Sequence, residues 1–170
     1  AVTGTTGISA AGQTVTLDDA SNDFTGAVTV TGGATTLNDA NDLTVTLTTS
    51  GSTALTAGGA LALDGTVSGA TSDLTTDAAA TSFGATTVGQ NLSVTATGAV
   101  SDTGKLAVTG TAGISAAGQT VTLDETANDF TGAVTVTGGA TTLNDVNDLT
   151  ATLTTSGATA LTAGGALTLD

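Results

Sequence analysis

The sequence predicts an all-β fold, a parallel β-helix in which each coil of chain stacks on the last, and three observations carry that expectation. A long segment returns almost unchanged after 106 residues, short runs alternate aliphatic residues with Thr or Ser, and the chain has 24 Gly but no Pro.

The repeat comes first. The eighteen letters NDFTGAVTVTGGATTLND at Asn22 to Asp39 recur without a change at Asn128 to Asp145. Residues 1–64 align without gaps to 107–170, and eight pairs differ: Thr6/Ala112, Asp19/Glu125, Ala20/Thr126, Ser21/Ala127, Ala40/Val146, Val45/Ala151, Ser52/Ala158 and Ala62/Thr168. Self-similarity at a fixed period is the mark of a stacked array, in which each unit buries its apolar face on the next. The chain is read as one unit, 1–106, followed by the first part of a near-identical unit, 107–170, in one continuous solenoid belonging to a longer array.

The strands follow from a period of two. TVTL (Thr14 to Leu17), AVTV (Ala27 to Val30), LTVTL (Leu43 to Leu47), LSVTA (Leu92 to Ala96) and LAVT (Leu106 to Thr109) alternate apolar and hydroxyl residues, as a strand with one buried face does. Thr and Val favour strands because a branched Cβ packs well on a pleated surface. Between them lie TGG, NDAND, SG, AGG and ATG, clusters suited to tight corners. A sandwich of this size would carry large core aromatics, whereas three Phe are the only aromatics here. The absence of Pro fits a coil in which nearly every backbone N–H donates to a neighbour.

Inside one chain the differing pairs test the facing of each position. With Leu61 and Leu63 inward, Ala62 and its partner Thr168 face out, and of the eight pairs only Val45/Ala151 is expected on an inner position. Phe24 and Phe130 are equivalent and are expected to plug the same wider corner. At roughly 20 residues per coil, one unit is expected to make about five coils and the whole chain a rod about 40 Å long.

The phrases GQTVTLDDASNDFTGAVTVTGG, LNDANDLTVTL and VGQNLSVTATGAVSDTGKLAVTG resemble the β-strand repeats of filamentous-haemagglutinin-like proteins, long adhesins of Gram-negative bacteria. The resemblance covers essentially the whole chain. It implies a right-handed parallel β-helix, secreted to the cell surface or extracellular matrix and serving attachment or biofilm. The N-terminal secretion segment of such proteins is absent from these residues.

Composition narrows the chemistry. Fifteen acids against the single base Lys105 give a formal charge of −14, which repels nucleic acid and anionic membrane surfaces alike. No apolar run is long enough to span a bilayer, and there is no charged-then-apolar leader. Without Cys there is no disulfide framework or thiolate metal site. With no His, Cys or Tyr, the chain lacks the usual general bases and nucleophiles, so no catalytic residue is assigned and no enzyme is expected. The carboxylate pairs Asp18/Asp19, Asp39/Asp42 and Asp124/Glu125 lack the aromatic platforms of a sugar cleft and read as solvated turn acids.

Two binding readings stand beside the structural one. LNDANDL and LNDVNDL concentrate side-chain oxygens at Asn38, Asp39, Asn41 and Asp42 and at Asn144, Asp145, Asn147 and Asp148, and Ca2+ takes six to eight such ligands. The competing account is that these residues close Asx-turns, with no cofactor bound. The Thr-x-Thr triplets beginning at Thr14, Thr29, Thr44, Thr46, Thr95, Thr120, Thr135, Thr150 and Thr152 resemble ice-binding ladders, although their spacing is uneven. The expected function is a shaft repeat giving length and stiffness to an adhesin or surface filament. Its partners would be neighbouring repeats or identical subunits stacked end to end, and a host or bacterial surface. The alternatives are a calcium-binding surface-layer or polymerising filament subunit, and an ice-binding solenoid.

Overall fold

The structure, a computed structural model, describes all residues from Ala1 to Asp170. The chain winds as a parallel β-solenoid without a helix, and every strand pairing in it is parallel. The expected alternating runs are all strands: Val15–Leu17, Val28–Gly32, Leu43–Thr49, Leu92–Ala96 and Leu106–Val108. Two longer strands, Thr53–Val67 and Leu74–Val88, turn a corner without a break, and their mutual register shifts between Ala57 and Ala60, at the AGG cluster.

Two ladders of inward residues define the coil. One runs Thr6, Val28, Val45, Leu63, Phe83 and Asp102, and continues two residues back along the same strands as Val100, Val121, Thr141 and Thr159. The other runs Val15, Thr35, Thr53, Leu74, Leu92, Ala112, Val134, Ala151 and Leu169. A coil takes from 17 residues (Val28 to Val45) to 22 (Thr6 to Val28). Nine coils at the usual strand spacing of about 4.8 Å make a rod of roughly 40 Å.

The register revises the expected relation between sequence unit and coil. Thr6, Val28, Val45 and Leu63 lie on the first ladder, while their 106-residue equivalents Ala112, Val134, Ala151 and Leu169 lie on the second. From Thr6, five coils bring the chain to Asp102, and Ala112 is half a coil further on. The unit therefore spans five and a half coils, and its two copies face opposite sides. Phe24 and Phe130 accordingly do not share a corner. Phe24 stacks on Val2 at the corner that follows one ladder, and Phe130 stacks on Val108, Val88 and Val67 at the other.

The interior is a thin file of aliphatic side chains, with Leu37, Leu43, Leu55, Leu61, Leu63 and Phe83 almost fully buried. Each such side chain contributes about 1.5–3 kcal/mol by leaving water, and the ladders satisfy the backbone around it. Ala62 and Thr168 face out as expected, and Val45 and Ala151 are both buried. Thr6/Ala112 corrects the count of inner positions, because both stand on inward rungs and Ala112 is buried. Alternation alone misplaces Thr here, since the file also takes Thr35, Thr49, Thr53, Thr76, Thr81, Thr86 and Thr141. Several of these hydroxyls find local partners: Thr49 and Thr53 meet at 2.9 Å, and Thr86 donates to the Leu63 carbonyl at 3.2 Å. At the corner entered by Gly65 the backbone has φ of +112°, and a Cβ would strike the Leu47 carbonyl. Only Gly fits there.

Candidate functional site

The NDAND turn sits where the strand Thr35–Asp39 leaves one ladder and the strand Leu43–Thr49 enters the other. Leu37 and Leu43 anchor its ends in the file, and the strand's alternation sends Asn38 outward and Asp39 inward. The Asn38 amide donates to the Asp18 carbonyl of the preceding coil at 2.7 Å. Asp39 Oδ1 accepts from the Phe24 N–H of that coil (3.4 Å) and from the Asn41 N–H (3.2 Å), which closes an Asx-turn. Asp42 Oδ1 accepts the Ala60 N–H of the following coil at 2.8 Å. One turn thus ties three successive coils together.

The second copy reproduces the arrangement. Asn144 donates to the Asp124 carbonyl, Asp145 Oδ1 accepts from Phe130 (3.4 Å) and Asn147 (3.3 Å), and Asp148 Oδ1 accepts from Ala166 (2.7 Å). Asn147 also donates to Asp129 Oδ1 at 3.0 Å, and Asp129 meets Lys105 at 3.3 Å in the one ion pair between side chains.

The eight predicted ligands are therefore brought to two corners but not to two cages. Asn38 and Asp42 reach to different coils and Asp39 points inside, and no three acidic side chains converge. Asp39 Oδ2 and Asp145 Oδ2 are buried without a hydrogen-bond partner. Burial pushes the Asp145 carboxyl above its ordinary value, outweighing the N–H groups of Asn147 and Phe130. Beside the first turn an open groove of about 410 Å3 is lined by Asp23, Phe24, Asn41, Asp42, Gly58 and Gly59 among others.

Other Asn and Asp residues do the same work at corners the sequence reading passed over. Asp73 accepts the Asn91 N–H (3.0 Å), and Asn91 Oδ1 accepts the Thr111 N–H (2.9 Å), one coil apart each time. The buried Asn128 amide donates to Asp102 Oδ2 at 2.5 Å, while its Oδ1 takes the Leu106 N–H at 2.7 Å. Burial raises the Asp102 carboxyl, offset in part by Asn128 and by the Asp124 and Glu125 N–H groups. The signal available in the sequence was the recurrence of Asn and Asp near coil spacing, as at Asp73 and Asn91 or at Asp102 and Asp124, rather than any local motif. Asp19, fully exposed, is held below the usual carboxylate range by the Ser21 hydroxyl and N–H.

Thr-x-Thr triplets do stack, over short lengths. Thr29 and Thr31 lie on Thr46 and Thr48, but the next coil puts Asp64 over Thr46. Thr135 and Thr137 lie on Thr152 and Thr154, with Gly113 and Ser115 on the preceding coil. The half-coil offset sends these two patches to opposite sides.

A family described as repeats of unknown function (DUF5649) matches residues 1–31 and 71–137, more than half of the chain, and the chain belongs to that family. No curated protein and no solved structure matches it.

Proposed function

We propose that this member of the repeat family is a structural shaft, a right-handed solenoid that gives length and stiffness to a long surface adhesin or filament of the filamentous-haemagglutinin-like kind. The observation that supports the reading most is the use of the conspicuous polar residues. Asn38, Asp39, Asp42 and Asn91, and their equivalents where the chain has them, hydrogen-bond from coil to coil instead of converging on a ligand. A shaft needs each coil fixed to the next and needs no unique site, so one unit can be reused. In this reading the chain is secreted to the surface or matrix of a Gram-negative bacterium and carries no catalysis. Adding one further 106-residue unit to the chain should lengthen the rod by about 26 Å at constant diameter, measured by small-angle scattering. An increase in girth instead of length would overturn the proposal.

The calcium reading keeps one observation in its favour, the unpartnered buried oxygens of Asp39 and Asp145. Melting the chain in NaCl and in CaCl2 at equal ionic strength separates the two readings, since screening saturates only with ionic strength and a site saturates with calcium. The shaft reading expects equal curves. A calcium-specific gain of several degrees that disappears in the Asp39→Asn, Asp42→Asn double variant would favour a metal-binding filament subunit.

A further inference from the structure

The chain has seven Asn, and what their amide nitrogens do divides them. Nδ2 of Asn22, Asn38 and Asn144 donates to the Leu17, Asp18 and Asp124 carbonyls, and Nδ2 of Asn128 and Asn147 donates to the carboxyls of Asp102 and Asp129. Asn91 is tied at every polar atom except that one. Its N–H donates to Asp73 Oδ1 at 3.0 Å, its carbonyl accepts the Leu74 N–H at 2.9 Å, and its Oδ1 accepts the N–H and the hydroxyl of Thr111 at 2.9 and 3.0 Å. Nδ2 donates to no protein atom and still reaches solvent.

Asn41 also has an idle Nδ2, and a second feature decides between them. Two places after Asn91 comes Ser93, whereas two places after the other six Asn come Phe24, Ala40, Leu43, Phe130, Val146 and Leu149. Asn followed at the second place by Ser or Thr is the acceptor pattern for an N-linked sugar. Leu92 packs inward between Leu74 and Ala112, so the half-buried Asn91 and the exposed Ser93 share the outer face.

The surface beside them has room. Gly113 lies on Ser93 in the next coil, and a Cβ there would meet only the Leu92 carbonyl, at 3.9 Å. The missing side chain leaves an open groove of about 250 Å3, with Ser93 and Thr95 on one side, Thr135 and Thr137 on the other, and Ser115 beside Gly113 between them. No charged residue lines it. The groove begins about 7 Å from Asn91 along the strand. Its hydroxyls can each donate and accept, as the hydroxyls of a sugar require, and a tether at Asn91 would hold that sugar at high local concentration.

We propose that Asn91 is an N-glycosylation site, its Nδ2 carrying a hexose whose ring lies along the groove over Gly113. In the transfer, Nδ2 attacks the anomeric carbon of a nucleotide-diphosphate hexose. The carbon–nitrogen bond forms as the bond from that carbon to the diphosphate oxygen breaks, the diphosphate leaves with the electron pair, and one amide proton passes to the transferase. The product keeps Oδ1 and one N–H, so both bonds from Thr111 survive. The inference rests on the geometry of this corner and is independent of the shaft reading.

Peptide mapping by mass spectrometry of the chain recovered from the cells that make it should find hexose on Asn91 and on none of the other six Asn. A bare Asn91 in that chain overturns the proposal. The fit is tested on the full chain, refolded in the presence of UDP-glucose and a soluble N-glycosyltransferase that accepts Asn-x-Ser. One glucose should be attached, Ser93→Ala and Asn91→Asp should receive none, and the modified chain should melt within about one degree of the unmodified one. Asn91→Asp keeps the acceptor for Thr111, so it separates loss of the sugar from loss of the coil contact. No transfer to Asn91, transfer to Asn41, or a modified chain that melts several degrees lower would each overturn the proposal.

Discussion

Residues 1–64 and 107–170 share all but eight of their letters and occupy different places in the rod. The first copy begins at an open edge with Ile8 and Leu17 partly exposed; the same strands of the second copy lie mid-rod with Ile114 and Leu123 enclosed, and it is the second copy's far end that is bare. In a solenoid each coil touches only its neighbours, so burial belongs to the stack rather than to the sequence of the coil. The comparison also separates two periods. The letters repeat after 106 residues, the geometry after about 19, and the first is not a whole multiple of the second.

The largest expected effect breaks the equivalence outright. Leu123→Ala should cost about 3 kcal/mol, because it empties a fully enclosed site, and Leu17→Ala about 1 kcal/mol or less at the open edge. Urea unfolding of the two variants reads the difference, and equal losses would mean the first coil is covered in solution. Next comes a control in which the copies should agree. Gly12 and Gly118 have φ of 71° and 74° with open space where a Cβ would go, so Gly→Ala costs about 1 kcal/mol of backbone strain at either. A gap between them would mean the corners feel their position in the stack.

A smaller effect sharpens the comparison through pH. In the fold the Asp102 and Asp145 carboxyls are raised above their unfolded values, so both favour the folded state when protonated. That contribution is fully present below the ordinary carboxylate range and is lost as pH rises through the folded values. Melting temperature should therefore rise on mild acidification from neutral pH. Asp145→Asn keeps an acceptor for the Phe130 and Asn147 N–H groups and removes the charge, so it should melt a few degrees higher at neutral pH and flatten the dependence. A steeper pH dependence in that variant would contradict the assignment. The smallest effect concerns the ion pair between Lys105 and Asp129. Lys105 and Asp129 are both partly exposed, so Lys105→Ala should change stability by less than about 1 kcal/mol, and less still in high salt.

Alternation along LTVTL and LSVTA, together with corners rich in Gly and Asn, made the strands, the parallel stacking and most inward residues legible in advance. The half-coil offset was not, because it depends on summing coils whose lengths vary from 17 to 22 residues, and an error of one residue per coil hides it. Inward Thr residues such as Thr81 and Thr141 were missed for a related reason. A Thr reads as outward by pattern, yet Thr81 and Thr141 are buried in the file. The NDAND corners were legible as a concentration of oxygens, and their partners were not. Those partners are backbone N–H and C=O groups one coil away, which carry no signature in the letters.

The half-coil offset has a mechanical consequence. A coil whose two sides differ in length or in bulk tilts the coil above it, and a stack of identical tilts bends into an arc. In this chain the equivalent strands of residues 1–64 and 107–170 lie on different ladders, so a tilt set by a coil of one copy is opposed by the tilt its equivalent sets in the other. An arrangement that reuses one sequence at half-integral coils stays straight to first order without any single coil being symmetric, and two units, about 11 coils or roughly 53 Å, form the shortest length over which that cancellation is complete.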